Sequence, residues 1–319
     1  MTNRDYQWPE FHFRLASLAK KSQLPSGVES QIDKIESFFN IKFNARCFVF
    51  PSARSALSAI FQFKGLSRRH TIFAPKWSSH CVWDAISRYA NPTCTFVPGI
   101  DMVLLVHKWG YTYKTKCHGP SKIISDSVDS VFSSSNEVLE NSSFEIISLS
   151  KTLGAFCGGL VVCHDPNFAN FARQLRTIAS VDLASAQEHK KLAEVNNDAN
   201  GSIWHSLEYK NFLLGAMGLE NILNNLENFT LAANSISSRI DRLTKKIKLD
   251  YLPFSNSRLP CVLPLLENKH KIRNKEMFMQ RQFNFSFQNE EDQFSEALLI
   301  PVHLGISDDA FNAFLSNIE

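Results

Sequence analysis

Lys151 stands in the stretch SLSKTLGAFCGG (148–159), between Ser150 and Thr152, where an apolar run ends. An amine in that place either caps a strand end in solvent or sits half-buried with chemical work to do. Burial weakens an amine's hold on its proton, and a neutral amine attacks carbonyls. Lysine forms Schiff bases with aldehyde cofactors, pyridoxal phosphate above all. The glycines at 154, 158 and 159 let backbone approach a ligand, and Ser148 and Ser150 offer donors to a phosphate.

Two further stretches could serve the same chemistry. KIISDS delivers Asp126 from an apolar strand. A buried carboxylate keeps a pyridine nitrogen protonated, which a pyridoxal electron sink needs, although an aspartate in that place also caps helices and starts turns. PSARSAL (51–57) opens a helix on small residues. Its free N–H groups and dipole suit a phosphate, with Ser52, Arg54 and Ser55 as side-chain donors. An ordinary N-capped helix has the same look, and no Walker pattern is present. His107 and His303 each follow an apolar strand and read first as packed or hydrogen-bonded histidines, with His107 the better functional candidate.

The elements that must position these residues alternate. ESQIDKIESFFNIKF, ARSALSAIFQFKG and HCVWDAISRYA carry helical spacing, with Gly65 as a stop. CFVFPS, HTIFAP, TCTFVPG, MVLLVHKWG, KIISD, FEIISLS (ending at Lys151) and GGLVVCHD read as strands. Strand and helix in alternation predict an α/β sheet with much parallel pairing, whose ligands collect at strand carboxyl ends. Ser52–Ser55, Asp126 and Lys151 all fall at such ends. Residues 165–180 read as helix, NNDANGS (196–202) as an exposed loop, and 205–248 as long helical patterning. RLPCVLPLLE and ALLIPVHLG read as strands, and a helix capped by Ser307 closes the chain. The predicted division is a large cofactor-binding α/β domain over 1–240 and a small α+β domain over 241–319.

Composition excludes several classes. The 319 residues are 44% hydrophobic and 20% charged, with a net charge of +3, too small to argue for nucleic acid or a membrane surface. The seven cysteines show no CxxC spacing, which speaks against zinc and a disulfide framework and for reduced thiols in the cytoplasm. The N-terminus reads as no signal peptide, and no apolar run approaches a membrane span.

In order along the chain, the motifs resemble the DegT/StrS-type aminotransferases, pyridoxal-phosphate enzymes of fold type I that often act on nucleotide-linked keto-sugars. FPSARSAL is similar to the family's phosphate-binding turn. IFAPKWSSHCVWDAI is similar to the segment that covers the cofactor ring, and VLLVHKWG to a strand ending in histidine, aromatic and glycine. IISDSVDS resembles the EDxAH/Q strand, SLSKTLGAFCGGLVV the Schiff-base strand, and LLIPVHLGISDDAF the C-terminal strand and helix. The resemblance implies a large α/β domain with a mostly parallel sheet and a small C-terminal domain. It implies that Lys151 holds pyridoxal 5'-phosphate as a Schiff base and then moves a proton, that Asp126 pairs with the ring nitrogen, and that the Ala53–Ser55 backbone with Ser55 and Ser148 holds the phosphate. Either Trp77 or His80 covers the ring. The implied reaction is transamination from a donor, glutamate, to a carbonyl acceptor, in a cytoplasmic homodimer of a sugar or polysaccharide pathway.

Four positions depart from the family pattern. Ala53 replaces a usual glycine, Arg54 a threonine, and Asp129 a histidine or glutamine near the ring hydroxyl, while Ser148 lies three residues before the lysine instead of five. The asparagine that a partner subunit usually contributes has only Asn211 as a candidate. Ala53 and Asp129 motivate the alternative of a non-catalytic, cofactor-binding or scaffold member. Another pyridoxal-dependent reaction is a second alternative, but the family's dehydratases lack the lysine that Lys151 supplies.

Overall fold

The computed structural model describes residues 27–112, 119, 122–181, 184–188, 211–249, 257–266, 269–284 and 294–319. The expected loop at 196–202 and the first residues of the 205–248 segment lie outside these. The helices are α1 (Val28–Phe43), α2 (Ala53–Phe63), α3 (His80–Tyr89), α4 (Leu149–Leu153), α5 (Pro166–Thr177), α6 (Ala216–Asn224), α7 (Asn228–Thr244) and α8 (Asp308–Ser316). The strands are β1 (Arg46–Phe50), β2 (Thr71–Phe73), β3 (Asn91–Thr93), β4 (Met102–Val106), β5 (Ile123–Asp126), β6 (Ser130–Phe132), β7 (Phe144–Ser148), β8 (Gly159–Cys163), β9 (Arg258–Pro260), β10 (Val262–Leu266), β11 (Met279–Asn284) and β12 (Phe294–Pro301).

The central sheet has seven strands in the order β1-β8-β7-β5-β4-β2-β3. Pairing is parallel from β7 through β5, β4 and β2 to β3. β8 is antiparallel to both its neighbours, so β1 runs in the same direction as β7 although β8 separates them. The carboxyl ends of β1, β5 and β7 therefore share one edge of the sheet, which is what brings the three sequence candidates together.

Both faces of this sheet are covered, so its strands are apolar on both sides. In β1, Phe48 and Phe50 pack in the layer of α2, α3 and α5, while Cys47 and Val49 pack against α1 and α6. Phe168 on α5 anchors the first layer, with ring centroids 5.3 Å from Phe48, 5.2 Å from Phe63 and 5.3 Å from Phe144. Phe48, Phe50, Phe61, Phe144 and Phe168 are all buried in this layer. A second sheet, β10-β12-β11, is antiparallel and packs with α7 and α8 around Ile236, Leu243, Leu298, Ile300, Phe311 and Phe314. β9 leaves that region to pair with β6, next to the turn that carries Asp129.

Three predicted strands end differently, MVLLVHKWG stopping at Val106. TCTFVPG contributes only Thr93 to β3, which starts at Asn91. Its apolar signal is Phe96, which stacks on Phe73 at 3.9 Å instead of extending a ladder. FEIISLS leaves the ladder at Ser148, where Thr152 Oγ1 donates to the Ser148 carbonyl at 2.8 Å and starts α4. Lys151 thus sits on a single helical turn past the strand end. Ser52 caps α2 by accepting from Ser55 N at 3.1 Å, Gly65 follows that helix at φ +63°, and Ser307 caps α8 through Ala310 N at 3.1 Å. Among the described residues no helix is long and apolar enough to cross a membrane.

Candidate active site

A cavity of about 530 Å³ lies where β1, β4, β5 and β7 end. Ala53, Arg54, Trp77, Asp126, Asp129, Ser148 and Lys151 line it. Ser55 is fully buried just behind this wall, its hydroxyl 3.1 Å from that of Ser52, which does line the cavity. His80 is exposed at the start of α3 and is not a wall residue, so of the two ring-face candidates only Trp77 borders the cavity. Asn211 also reaches the wall, within the same chain as Lys151, and its amide donates to Gln187 Oε1 at 2.7 Å.

Local sequence explains each placement. Glycine is obligatory at 159, where a Cβ would lie 2.3 Å from the Ser52 carbonyl carbon and 2.4 Å from Ala53 N. The start of β8 can therefore press against the N-terminus of α2 and hold it at the cavity. Gly158 N donates to the Pro51 carbonyl at 2.8 Å and closes the same contact. The side chain at Ala53, where the family prefers glycine, is accommodated on the wall.

Lys151 and Asp129 form an ion pair at 2.7 Å, with 25% and 11% of their side chains exposed. The other oxygen of Asp129 accepts from Trp109 N at 3.2 Å. Asp126 is buried, and its Oδ1 accepts from Val128 N at 3.2 Å. Among the described residues no ion pair reaches it. Burial, and next the neighbouring Asp129 charge, push its carboxyl from the ordinary 3.8 up to about 7. His107 is buried and hydrogen-bonded through Nε2 to Ser125 Oγ at 3.2 Å. Burial holds its imidazole well below the usual value, so it stays neutral, and it does not border the cavity. His303 is a turn histidine whose Nδ1 accepts from Gly305 N at 3.1 Å.

Sequence reasoning missed Trp109, Lys108, Glu188 and the buried pair Arg258–Glu145. Trp109 and Lys108 were within reach, because the pattern of MVLLVHKWG places HKWG at a strand end. The chain instead turns there, with Trp109 at φ +54° and Gly110 at φ +82°, and Lys108 Nζ lies 4.7 Å from the Trp109 ring centroid. Glu188 has no motif around it. It is buried on the cavity wall, and Gly218 N donates to its Oε1 at 2.9 Å. Burial pushes its carboxyl up to about 7 against the pull of backbone N–H groups at 215, 217 and 218.

These two raised carboxyls make stability depend on pH. Between their ordinary values and about 7 the folded chain binds protons that the unfolded chain has released, so ionisation disfavours folding. The cofactor-free protein should be most stable below about pH 4 with respect to these groups and lose that contribution as pH rises to about 7. Asp126→Asn should flatten part of the slope in melting temperature measured from pH 5 to 8. An unchanged slope would show that Asp126 ionises normally in the empty site.

The sheet, its order and the cavity at the carboxyl edge define an α/β enzyme of fold type I, the pyridoxal-phosphate class. The family model described as "Putative PLP-dependent aminotransferase" matches residues 35–319, and the chain belongs to that family. It is a PLP-dependent aminotransferase. No curated protein matches the chain. Solved structures share its fold at low identity. A DegT DnrJ EryC1 StrS aminotransferase from Brucella abortus is 11% identical, with 90% of this chain and 88% of that chain covered at a TM-score of 0.56. DesI, determined in the presence of its TDP-sugar product, is 12% identical over 90% of this chain and 83% of its own, at 0.56. The 8-amino-7-oxononanoate synthase from Francisella tularensis is 16% identical over 98% and 94%, at 0.54. A synthase among the neighbours shows that the shared fold does not by itself specify the reaction.

The residues present fit pyridoxal phosphate. Asp126 is a buried carboxylate on the wall that forms no ion pair among the described residues, and a protonated ring nitrogen would supply one. The capped N-terminus of α2, with Arg54 on its first turn, suits the phosphate.

Proposed function

We propose that this aminotransferase takes an amino group from glutamate and passes it to a keto-sugar, nucleotide-linked, using Lys151 as its Schiff-base residue. The observation that carries this reading is the convergence of the Lys151 amine, the buried Asp126 carboxylate and the N-terminus of α2 on one cavity. The TDP-sugar product of DesI, a structure of the same fold, supports a sugar nucleotide as acceptor.

The roles follow from placement. Asp126 is assigned to hold the ring nitrogen's proton, because a buried carboxylate is stabilised by an adjacent cation. The Ala53–Ser55 backbone, with Arg54 and Ser148, is assigned to the phosphate, and the buried Ser55 hydroxyl is assigned to steady Ser52 on the wall. Ser148 is held by its neighbour, the two hydroxyls of Ser148 and Ser150 lying 3.0 Å apart. Trp77 is assigned to the ring face. Bound pyridoxal phosphate supplies the electron sink. Lys151 holds it covalently and moves the proton at the substrate carbon, work that needs a half-buried amine on a rigid element. α4 provides that element, since Leu149, Thr152 and Leu153 are buried on either side of Lys151. A homodimer in the cytoplasm belongs to the same reading. Sedimentation at full cofactor occupancy should give twice the chain mass, and a monomer would count against it.

The test of the reaction is an absorption spectrum after adding pyridoxal phosphate. A yellow band that glutamate bleaches, and that a TDP-linked keto-sugar then restores, is the expected sequence. A folded protein that gives no band would overturn the Lys151 assignment. A band indifferent to glutamate would overturn the donor alone.

A further inference from the structure

Asp129 is one of the four departures from the pattern that the resemblance implies, and the structure gives that carboxylate a defined partner. Its Oδ1 lies 2.7 Å from Lys151 Nζ and its Oδ2 accepts from Trp109 N at 3.2 Å, so both oxygens are aimed. The donor at 109 cannot drift. Trp109 is 2% exposed, and a Cβ on the next residue, Gly110, would lie 2.7 Å from Pro260 Cα. β9, which ends at Pro260, thus clamps the turn that clamps Asp129.

We propose that Asp129 is the proton partner of Lys151, holding its amine charged in the cofactor-free enzyme and accepting its proton when that amine bonds the cofactor aldehyde. This rests on the Schiff-base reading above. The step balances. One proton moves from Nζ to Oδ1, and the freed nitrogen pair bonds the aldehyde carbon. The two hydrogens left on nitrogen depart with the carbonyl oxygen as water. The proton on Oδ1 is then in place to return to the imine nitrogen, which a carboxylate at that distance favours in its charged form. A glutamine at 129 could not take the proton, and a neutral histidine could take it but has no negative charge to hold the amine protonated.

Other charged and titratable groups face the pair from the elements around it. Asp126 ends β5, Glu145 lies on β7, Arg258 on β9, Cys261 follows β9, and His107 and Lys108 follow β4. Among these groups of the described residues, Asp129 is the one that forms an ion pair with Lys151, at 2.7 Å.

The test reads protonation and not turnover. The pH midpoint of the pyridoxal-phosphate band should fall by about 1–3 units in Asp129→Asn and stay near the wild-type value in Asp129→Glu. In cofactor-free protein, acetic anhydride should label Lys151 about tenfold faster in Asp129→Asn than in wild type near pH 7.5, as mass spectrometry would show. If Asp129→Asn does not fold, the wild type alone decides: Lys151 must be labelled only at higher pH than exposed Lys34. Unchanged midpoints and labelling in Asp129→Asn, or early labelling of Lys151 in wild type, would overturn the proposal. No band in any variant, with labelling still dependent on Asp129, would sink the Schiff-base reading and leave the ion pair standing without its proton-transfer role.

Discussion

Lys151→Ala should yield a folded protein that shows no yellow band with pyridoxal phosphate and transaminates at least about 10²–10⁴-fold more slowly than wild type. The range is a floor, because on the proposed reading the substitution removes the covalent tether and the proton-transfer base together. Folding should survive. Lys151 is part-exposed, and its loss leaves Asp129 with the Trp109 N–H and contact with the cavity solvent. Added small amines separate the two lost roles. They replace a missing base from solution but cannot restore the tether, so amine rescue of rate without return of the protein-bound band is expected. A variant that keeps both band and rate would place the Schiff base on another lysine, with Lys108 on the same wall the first candidate.

The second large effect lies behind the site. Arg258→Ala should destabilise the protein by about 3–5 kcal/mol, because it leaves a buried carboxylate without its cation. Arg258 is 4% exposed and Glu145 is fully buried, and their Nη2 to Oε1 separation is 3.0 Å. Arg258 also donates to Ser127 Oγ and to the Glu137 carbonyl, and lies 4.9 Å from the Phe132 ring centroid. Glu145 accepts from Leu139 N at 2.7 Å. This network joins β9 to β7 and to the turn between Asp126 and Asp129, so its loss should loosen the site as well as the fold. Thermal or denaturant unfolding gives the measurement. Arg258→Met with Glu145→Leu should recover most of the loss, since an apolar pair of similar volume needs no counter-charge. A single Arg258→Ala variant as stable as wild type would mean that water reaches Glu145 and screens it.

The sequence alone determined the local and periodic features. Apolar runs bounded by proline, glycine and serine located nearly every strand of the central sheet, because a strand covered on both faces must be apolar on both. Serines 52 and 307 announced helix starts, because a cap is a contact within a few residues. Lys151 and Asp126 were legible because each is a charged residue at the end of an apolar run, an arrangement that costs free energy unless a partner is provided. Tertiary structure alone decided how those ends meet. Strand order is set by pairing across long loops, so nothing in residues 144–163 says that β8 reverses direction and inserts between β1 and β7. The choice between Trp77 and His80 also waited for the fold, since only three-dimensional packing turns one toward the cavity and leaves the other in solvent. Asp129 could be seen in sequence as a departure, but its meaning came from the 2.7 Å contact with Lys151. Arg258 was invisible for the same reason. Its partner lies more than a hundred residues away, and a charge is intelligible in a protein interior only together with the group that neutralises it.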